Sequence, residues 1–239
     1  MSELAPTGTL RVAIGVGPAA SAFYTARDST TGRPRGVAVD LGAALAQKLG
    51  VPVQYVDFSS SGEITAAVNR DVWDVTFMPV DAERAKSVDF APAYFQFEST
   101  YLVPAGSAIQ SIEEVDRPGV RVIGVANTTT ARGAAASLKR TQIKTFRGVE
   151  ELLVEVKAGR ADAVALSKES LKNFAAQMPG ARILPGHFWA STVAPAVRRN
   201  RPNALAYVAD FIEAAKADGT VRRALDAAGL KDAEVAPPR

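Results

Sequence analysis

Asp74-Val-Thr-Phe-Met-Pro-Val-Asp-Ala-Glu-Arg84 is the stretch from which the rest of the chain is read. Its apolar run, closed by Pro79, predicts a buried strand leaving a sheet, and Asp81 is placed to cap a short helix whose first turn carries Glu83 and Arg84. A guanidinium then stands at the carboxyl edge of a sheet, where open α/β folds bind their ligands. Its planar fork of N–H donors suits a carboxylate better than any other side chain does. Arg84 is therefore the candidate ligand-binding residue.

Working outward, strand and helix patterns alternate. Thr9–Ile14 reads as a strand running into Gly15-Val-Gly-Pro18, a near match to a dinucleotide-binding glycine loop. Pro18 removes a donor that a pyrophosphate would need, and the residues beyond it lead to a turn at Thr30–Pro34, so that reading is set aside. Asp40 is expected to cap a helix with Leu41, Ala44, Leu45 and Leu49 on one face and Gly50 as its stop. Val53–Phe58 is the next strand, and Ser59–Glu63 caps a helix expected to run to Arg70. Strand, cap, helix and strand in succession is the pattern of a parallel sheet.

Past Tyr94 an extended piece, Gln96–Pro104, leads to a helical Ile112–Val115, and the alternation restarts with strand Val120–Val125 and a helix opening around Thr130. Val149, Leu152, Leu153 and Val156 form a helical stripe ended by Gly159, followed by a strand from Asp162 to Leu166 that ends at Ser167. Extended segments at Arg182–Pro185 and Ser191–Val197 precede a C-terminal helix with Leu205, Val208, Phe211 and Ile212 on one face and Gly219 as its stop; Pro237–Arg239 is expected to fray. The restart predicts two lobes, residues 1–96 with 191–239 and residues 97–190.

Composition narrows the function. The chain has 239 residues, 47% of them hydrophobic, and a net charge of +3 from 28 basic and 25 acidic residues spread along its length. No clustered basic stripe points to nucleic acid. With no cysteine and one histidine, His187, neither a thiolate nor a histidine-based metal site is expected, and no cofactor is called for. No apolar run approaches the roughly 20 residues of a membrane span.

The run Asp-Ala-Glu-Arg-Ala-Lys-Ser-Val-Asp-Phe-Ala-Pro-Ala-Tyr, residues 81–94, resembles the T-P-E-R-x-x-x-x-D-F-S-x-P-Y signature of the family 3 extracellular solute-binding proteins, the amino-acid receptors of ABC importers. Gly36-Val-Ala-Val-Asp-Leu41, Gly159-Arg-Ala-Asp-Ala-Val164 and Ala217-Asp-Gly-Thr220 are similar to further segments of that family, in the same order. The resemblance implies a two-lobed type II periplasmic-binding fold, each lobe a mainly parallel sheet flanked by helices, with two crossing strands as hinge. It implies a monomeric periplasmic receptor that closes on a small carboxylate-bearing solute and is then recognised by ABC transporter membrane subunits. Met1-Ser-Glu3 is expected to be a start left after a signal has been removed.

Residue by residue, the resemblance assigns the carboxylate clamp to Arg84 and a hydroxyl loop at a helix N-terminus to Thr129 and Thr130, with Thr128 where the family has glycine. Phe77 and Met78, in the segment before the arginine, and Phe23 in the first loop complete the expected ligand contacts. Three departures bear on the ligand. Ser167 stands where the family places the aspartate that neutralises an α-ammonium; the segment ahead of Arg84 is about two residues short; and Ala20 replaces a stacking aromatic. Carboxylate recognition is expected to be retained and ammonium recognition lost, which points to a small organic acid or an amino acid held in an unusual way. Two alternatives are a cyclic-acid dehydratase on the same fold, with Glu63 or Glu98 as proton donor, and the sensory domain of a membrane receptor. Tyr94, Phe95, Phe97, Tyr101 and Trp73 are expected in the core, Glu98 facing solvent, and His187 as a satisfied surface residue.

Overall fold

The computed structural model describes residues 3–16, 25–28, 30–231 and 233–239. The chain divides into two compact units, Met1–Gln96 with Thr192–Arg239, and Phe97–Ser191.

The first unit opens with β1 (Leu10–Gly15), then β2 (Ala26–Arg27) and β3 (Pro34–Arg35), α1 (Val37–Leu49), β4 (Val53–Phe58), α2 (Ser61–Ala66), β5 (Val75–Pro79) and β6 (Val88–Phe90); β7 (Phe95–Val103) then leads out of it. β1 lies between β4 and β5 and is parallel to both, as the repeated strand and helix pattern requires. Leu41, Leu45 and Leu49 turn one face of α1 into the core, and Gly50, at φ 70°, ends it by donating to the carbonyls of Ala46 and Gln47. Asp40 is not its cap. The helix begins at Val37 behind Gly36, whose φ of 119° turns the chain into it, and Asp40 falls in the first turn. The expected helix to Arg70 is split: α2 stops at Ala66 and a 3₁₀ turn covers Val68–Arg70. The Ser60 hydroxyl accepts from the Glu63 N–H while the Glu63 carboxylate accepts from the Ser59 N–H, a reciprocal cap. Trp73 is fully buried and its indole N–H donates to the Ile64 carbonyl.

In the second unit the order is α3 (Ile112–Val115), β8 (Val122–Val125), α4 (Thr129–Ser137), β9 (Ile143–Phe146), α5 (Val149–Lys157), β10 (Ala163–Ser167), α6 (Lys168–Ala175) and β11 (Arg182–Ile183); β12 (Trp189–Arg198) leads back. β10, β8 and β9 are parallel, and β7 joins β10 antiparallel. Tyr101, Val103, Val115, Val122, Leu138 and Leu184 are packed in one buried cluster. Sequence patterning does not mark β9 or α6. The first reads Ile-Lys-Thr-Phe with exposed centre residues, and the second buries only Leu171 and Phe174 among polar residues.

The returning β12 pairs antiparallel with β5 and β6. The predicted C-terminal helix is two helices, α7 (Pro202–Ala217) and α8 (Thr220–Ala227), with Gly219 at φ 81° between them. The tail does not fray at its start. Val235 bridges Phe95, the Ala236 N–H donates to the Tyr94 carbonyl, and the Lys216 ammonium donates to the Pro237 carbonyl.

Candidate functional site

In the first unit the chemistry gathers where β5 ends. The Asp81 carboxylate accepts from the backbone N–H groups of Glu83 and Arg84, which turns the chain into a 3₁₀ turn at Arg84–Lys86. The Arg84 residue is only 5% exposed. Its guanidinium donates to the Pro79 carbonyl at 2.8 Å and to the Ser61 hydroxyl at 2.6 Å. Ser61 is the first residue of α2, so the fork is fixed between the end of a strand and the start of a helix. Phe77 is buried and meets Tyr94 edge-on, ring centroids 6.1 Å apart. Met78, one residue further along β5, belongs to the core: it packs with Ile64, Ala67, Trp73 and Val88. Successive strand residues face opposite sides, so Phe77 and Met78 do not share one face. Phe23 and Ala20 lie outside the described residues.

In the second unit three segments meet at the carboxyl edge of the parallel strands. Thr128 caps α4: its hydroxyl accepts from the Ala131 N–H and donates to the Val125 carbonyl. Asn127, just before it, takes the left-handed conformation at φ 61°, which asparagine tolerates. Thr129 and Thr130 are buried in the first turn, and the Thr130 and Ser99 hydroxyls are 2.8 Å apart. Ser99, on β7, lies opposite Ser167 in the ladder to β10. Ser167 caps α6, its hydroxyl accepting from the Ser170 N–H and bonding to the Ser170 hydroxyl. That hydroxyl is thus engaged in its own helix and offers no substitute for a carboxylate.

The acids near this edge divide by environment. Glu98 does not simply face solvent: Lys168 donates to it, and His187 Nδ1 is 2.9 Å from its other oxygen. The hydrogen bond from Lys168 holds the Glu98 carboxyl below the usual range, and hydrogen bonds from Ser59 do the same for Glu63. Both are ionised at neutral pH, the wrong state for a proton donor. Glu169 is the acid that sequence reasoning missed. Burial pushes its carboxyl up, and its Oε2 is buried without a hydrogen-bond partner. Its sequence signal was slight, a glutamate two residues beyond the expected aspartate position. Among the described residues no group of histidine, cysteine or acidic side chains is arranged to hold a metal ion, and no helix is long and apolar enough to cross a membrane.

The family model described as bacterial extracellular solute-binding proteins, family 3, matches residues 12–228. A glutamine-binding protein of an ABC transporter, GlnH of Bacillus subtilis, is 24% identical over 157 residues, covering 64% of this chain and 57% of its own. An L-arginine-binding protein of Pseudomonas aeruginosa is 26% identical over 145 residues, covering 59% and 56%. The matches thus span less than two thirds of the length of these curated relatives. Among solved structures, an ancestral amino-acid-binding protein described as a precursor of cyclohexadienyl dehydratase superposes with TM-score 0.80 at 29% identity, covering 94% of this chain and 96% of its own. A mutant ArgBP of T. maritima does so with TM-score 0.78 at 24% identity, covering 94% and 96%. The fold is therefore the α/β type II fold of periplasmic amino-acid-binding proteins, with a mixed sheet.

Proposed function

Because the chain belongs to the bacterial extracellular solute-binding proteins, family 3, we propose that it is the receptor of an ABC uptake transporter and binds a small carboxylate-bearing solute, an amino acid or a related organic acid. The observation that carries the carboxylate reading is the Arg84 guanidinium, buried at the end of a parallel strand and oriented by Pro79 and Ser61. A fork held in advance loses little side-chain entropy when an anion docks. Thr129 and Thr130 supply the second set of donors, at the amino end of α4, where the helix dipole favours negative charge. A solute that binds a closed form more tightly than an open one shifts the population toward it. Membrane subunits of the transporter then recognise the liganded receptor outside the cytoplasmic membrane. No bond is made or broken, and no cofactor or metal takes part.

The test is calorimetry and thermal shift against amino acids, keto acids, aromatic acids and dicarboxylates. A solute that binds the folded state raises the melting temperature by mass action. Arg84→Ala should weaken the best binder by 30-fold or more, on the order of 2 kcal/mol for a lost charge-assisted pair. Undiminished affinity in that variant sinks the clamp. The dehydratase alternative is checked by incubating the protein with prephenate, and turnover removed by Glu169→Gln would establish it.

A further inference from the structure

The unit-2 half-site has an aromatic wall that none of the motifs above assigns. Trp189, at the start of β12, is 38% exposed and is one of two large hydrophobic residues exposed in the described chain. Its indole lies on α4 at Gly133. A Cβ added to Gly133 would stand 2.5 Å from the Trp189 Cγ and 2.6 Å from its Cδ2, so any side chain there would displace the ring. Gly133 follows Thr129 by four residues and Thr130 by three, which puts all three on one face of the helix. Gly133, on which the ring lies, is thus about one helical turn, roughly 5 Å along the axis, from Thr130. The residue before the tryptophan is fixed as well. Phe188 donates its N–H to the carbonyl of Ser99, the residue whose hydroxyl meets Thr130, and its ring packs on Tyr101 with centroids 4.4 Å apart.

Two facts set what such a wall can select. Glu98, the neighbour of Ser99, is already paired with Lys168 and has His187 beside it, so a cationic solute end would find that carboxylate committed. An exposed indole face, in contrast, attracts a second π-system by offset or edge-on stacking beyond what its area alone contributes. We propose that Trp189 is a specificity-determining residue that stacks on a planar, π-faced group of the solute while Thr129 and Thr130 bind its carboxylate, so that the solute class is an aromatic or similarly flat organic acid. This rests on the reading of Thr129 and Thr130 as carboxylate donors.

The experiment compares phenylacetate, phenylpyruvate and L-phenylalanine with cyclohexylacetate, which has a similar shape and no π-face, and with L-arginine. Wild type and Trp189→Phe should bind the phenyl acids roughly three- to tenfold more tightly than cyclohexylacetate. In Trp189→Leu, and in Gly133→Ala where the ring is displaced, that ratio should fall to about one while cyclohexylacetate binds as before. Tryptophan fluorescence gives an independent readout, because the second tryptophan, Trp73, is fully buried: titration should quench emission in Trp73→Phe and leave Trp189→Phe unchanged. A phenyl preference that survives Trp189→Leu, its absence in wild type, or tighter binding of L-arginine than of every phenyl acid overturns the proposal. Arg84→Ala separates the two readings: it should weaken binding of all these acids by roughly 30-fold or more, whereas the Trp189 variants alter only their ranking. If wild type binds no acid in this panel, the Trp189 proposal falls, and the Arg84 reading is decided by the wider panel of amino acids, keto acids and dicarboxylates.

Discussion

Each unit carries the same staple at the amino ends of its parallel strands, and the two staples differ in what covers them. In the first, the Arg11 backbone N–H and Nε donate to one Asp74 oxygen, Nη2 donates to the other, and Nη1 donates to the carbonyl of Asp71. In the second, Arg121 does the same to Asp162, with the carbonyl of Gly159 in the place of Asp71. In both, the aspartate stands just before a strand, and the carbonyl belongs to the residue three positions earlier. The surroundings diverge. The Asp74 side chain is 0% exposed, and Arg198 and Arg201 approach it as well, while Arg198 also pairs with Asp71. The side chains of Arg121 and Asp162 are 51% and 33% exposed, and among the described residues no further cation pairs with Asp162. One local pattern therefore makes a buried charge network in one unit and a surface ion pair in the other. The coverage in the first comes from β12 and the turn after it, which return there from the second unit.

The largest expected effect breaks the buried staple. Asp74→Asn leaves Arg11 and Arg198 with a deficit of negative charge, and the first unit should lose about 3–5 kcal/mol of stability in urea unfolding. A loss no greater than that of the matching change in the second unit would show that coverage does not matter. Next comes a group in each unit that is buried with an unpartnered oxygen, Tyr94 in the first and Glu169 in the second. Tyr94→Phe removes a hydroxyl that has no partner and should stabilise the first unit by about 1 kcal/mol. Glu169→Gln should act through pH. Burial raises the carboxyl pKa of Glu169 in the folded state, so the protein should be more stable at pH 5 than at pH 7 on account of this group, losing that increment as pH rises through the folded value. The variant should lack that slope in melting temperature, and an unaltered slope would show that the group is solvated.

The smallest effect concerns the exposed staple. Asp162→Asn should cost about 0.5 kcal/mol, as solvent-screened pairs do. Arg121 lowers the pKa of Asp162, so its contribution is present above the ordinary carboxylate value near 4 and fades as the pH falls through the folded value. Denaturant midpoints of wild type and variant should converge as the pH falls below the ordinary carboxylate value. Sodium chloride should narrow their difference at pH 7 and leave the Asp74→Asn deficit nearly intact.

Much of this was legible along the chain. The run Val75–Pro79 and the Asp81 cap located β5 and Arg84, and the stripe of Leu152 and Val156 located α5, because a strand of period two and a helix of period 3.6 leave their spacing in the residues. Where the pattern is short or polar it fell silent. Ser167 is the strand end its pattern predicts, but α6 buries only two side chains, so neither its second role as the cap of that helix nor Glu169 shows in the spacing. Asp40 is not the cap because a glycine with a positive φ opens the helix four residues earlier, and a string of residues does not display its dihedral angles.

The sequence by itself determined the alternation of strands and helices, the family, and the arginine with its flanking motif, since each is carried by neighbours along the chain. Tertiary structure alone decided which aspartate would be sealed under three arginines, that Met78 would face the core, that the tail would tie to Tyr94 and Phe95, and that the Trp189 ring would settle on a glycine 56 positions earlier, Gly133. The reason is physical: burial, charge compensation and ring contact are set by residues far apart in sequence, and no local spacing encodes which of them will meet.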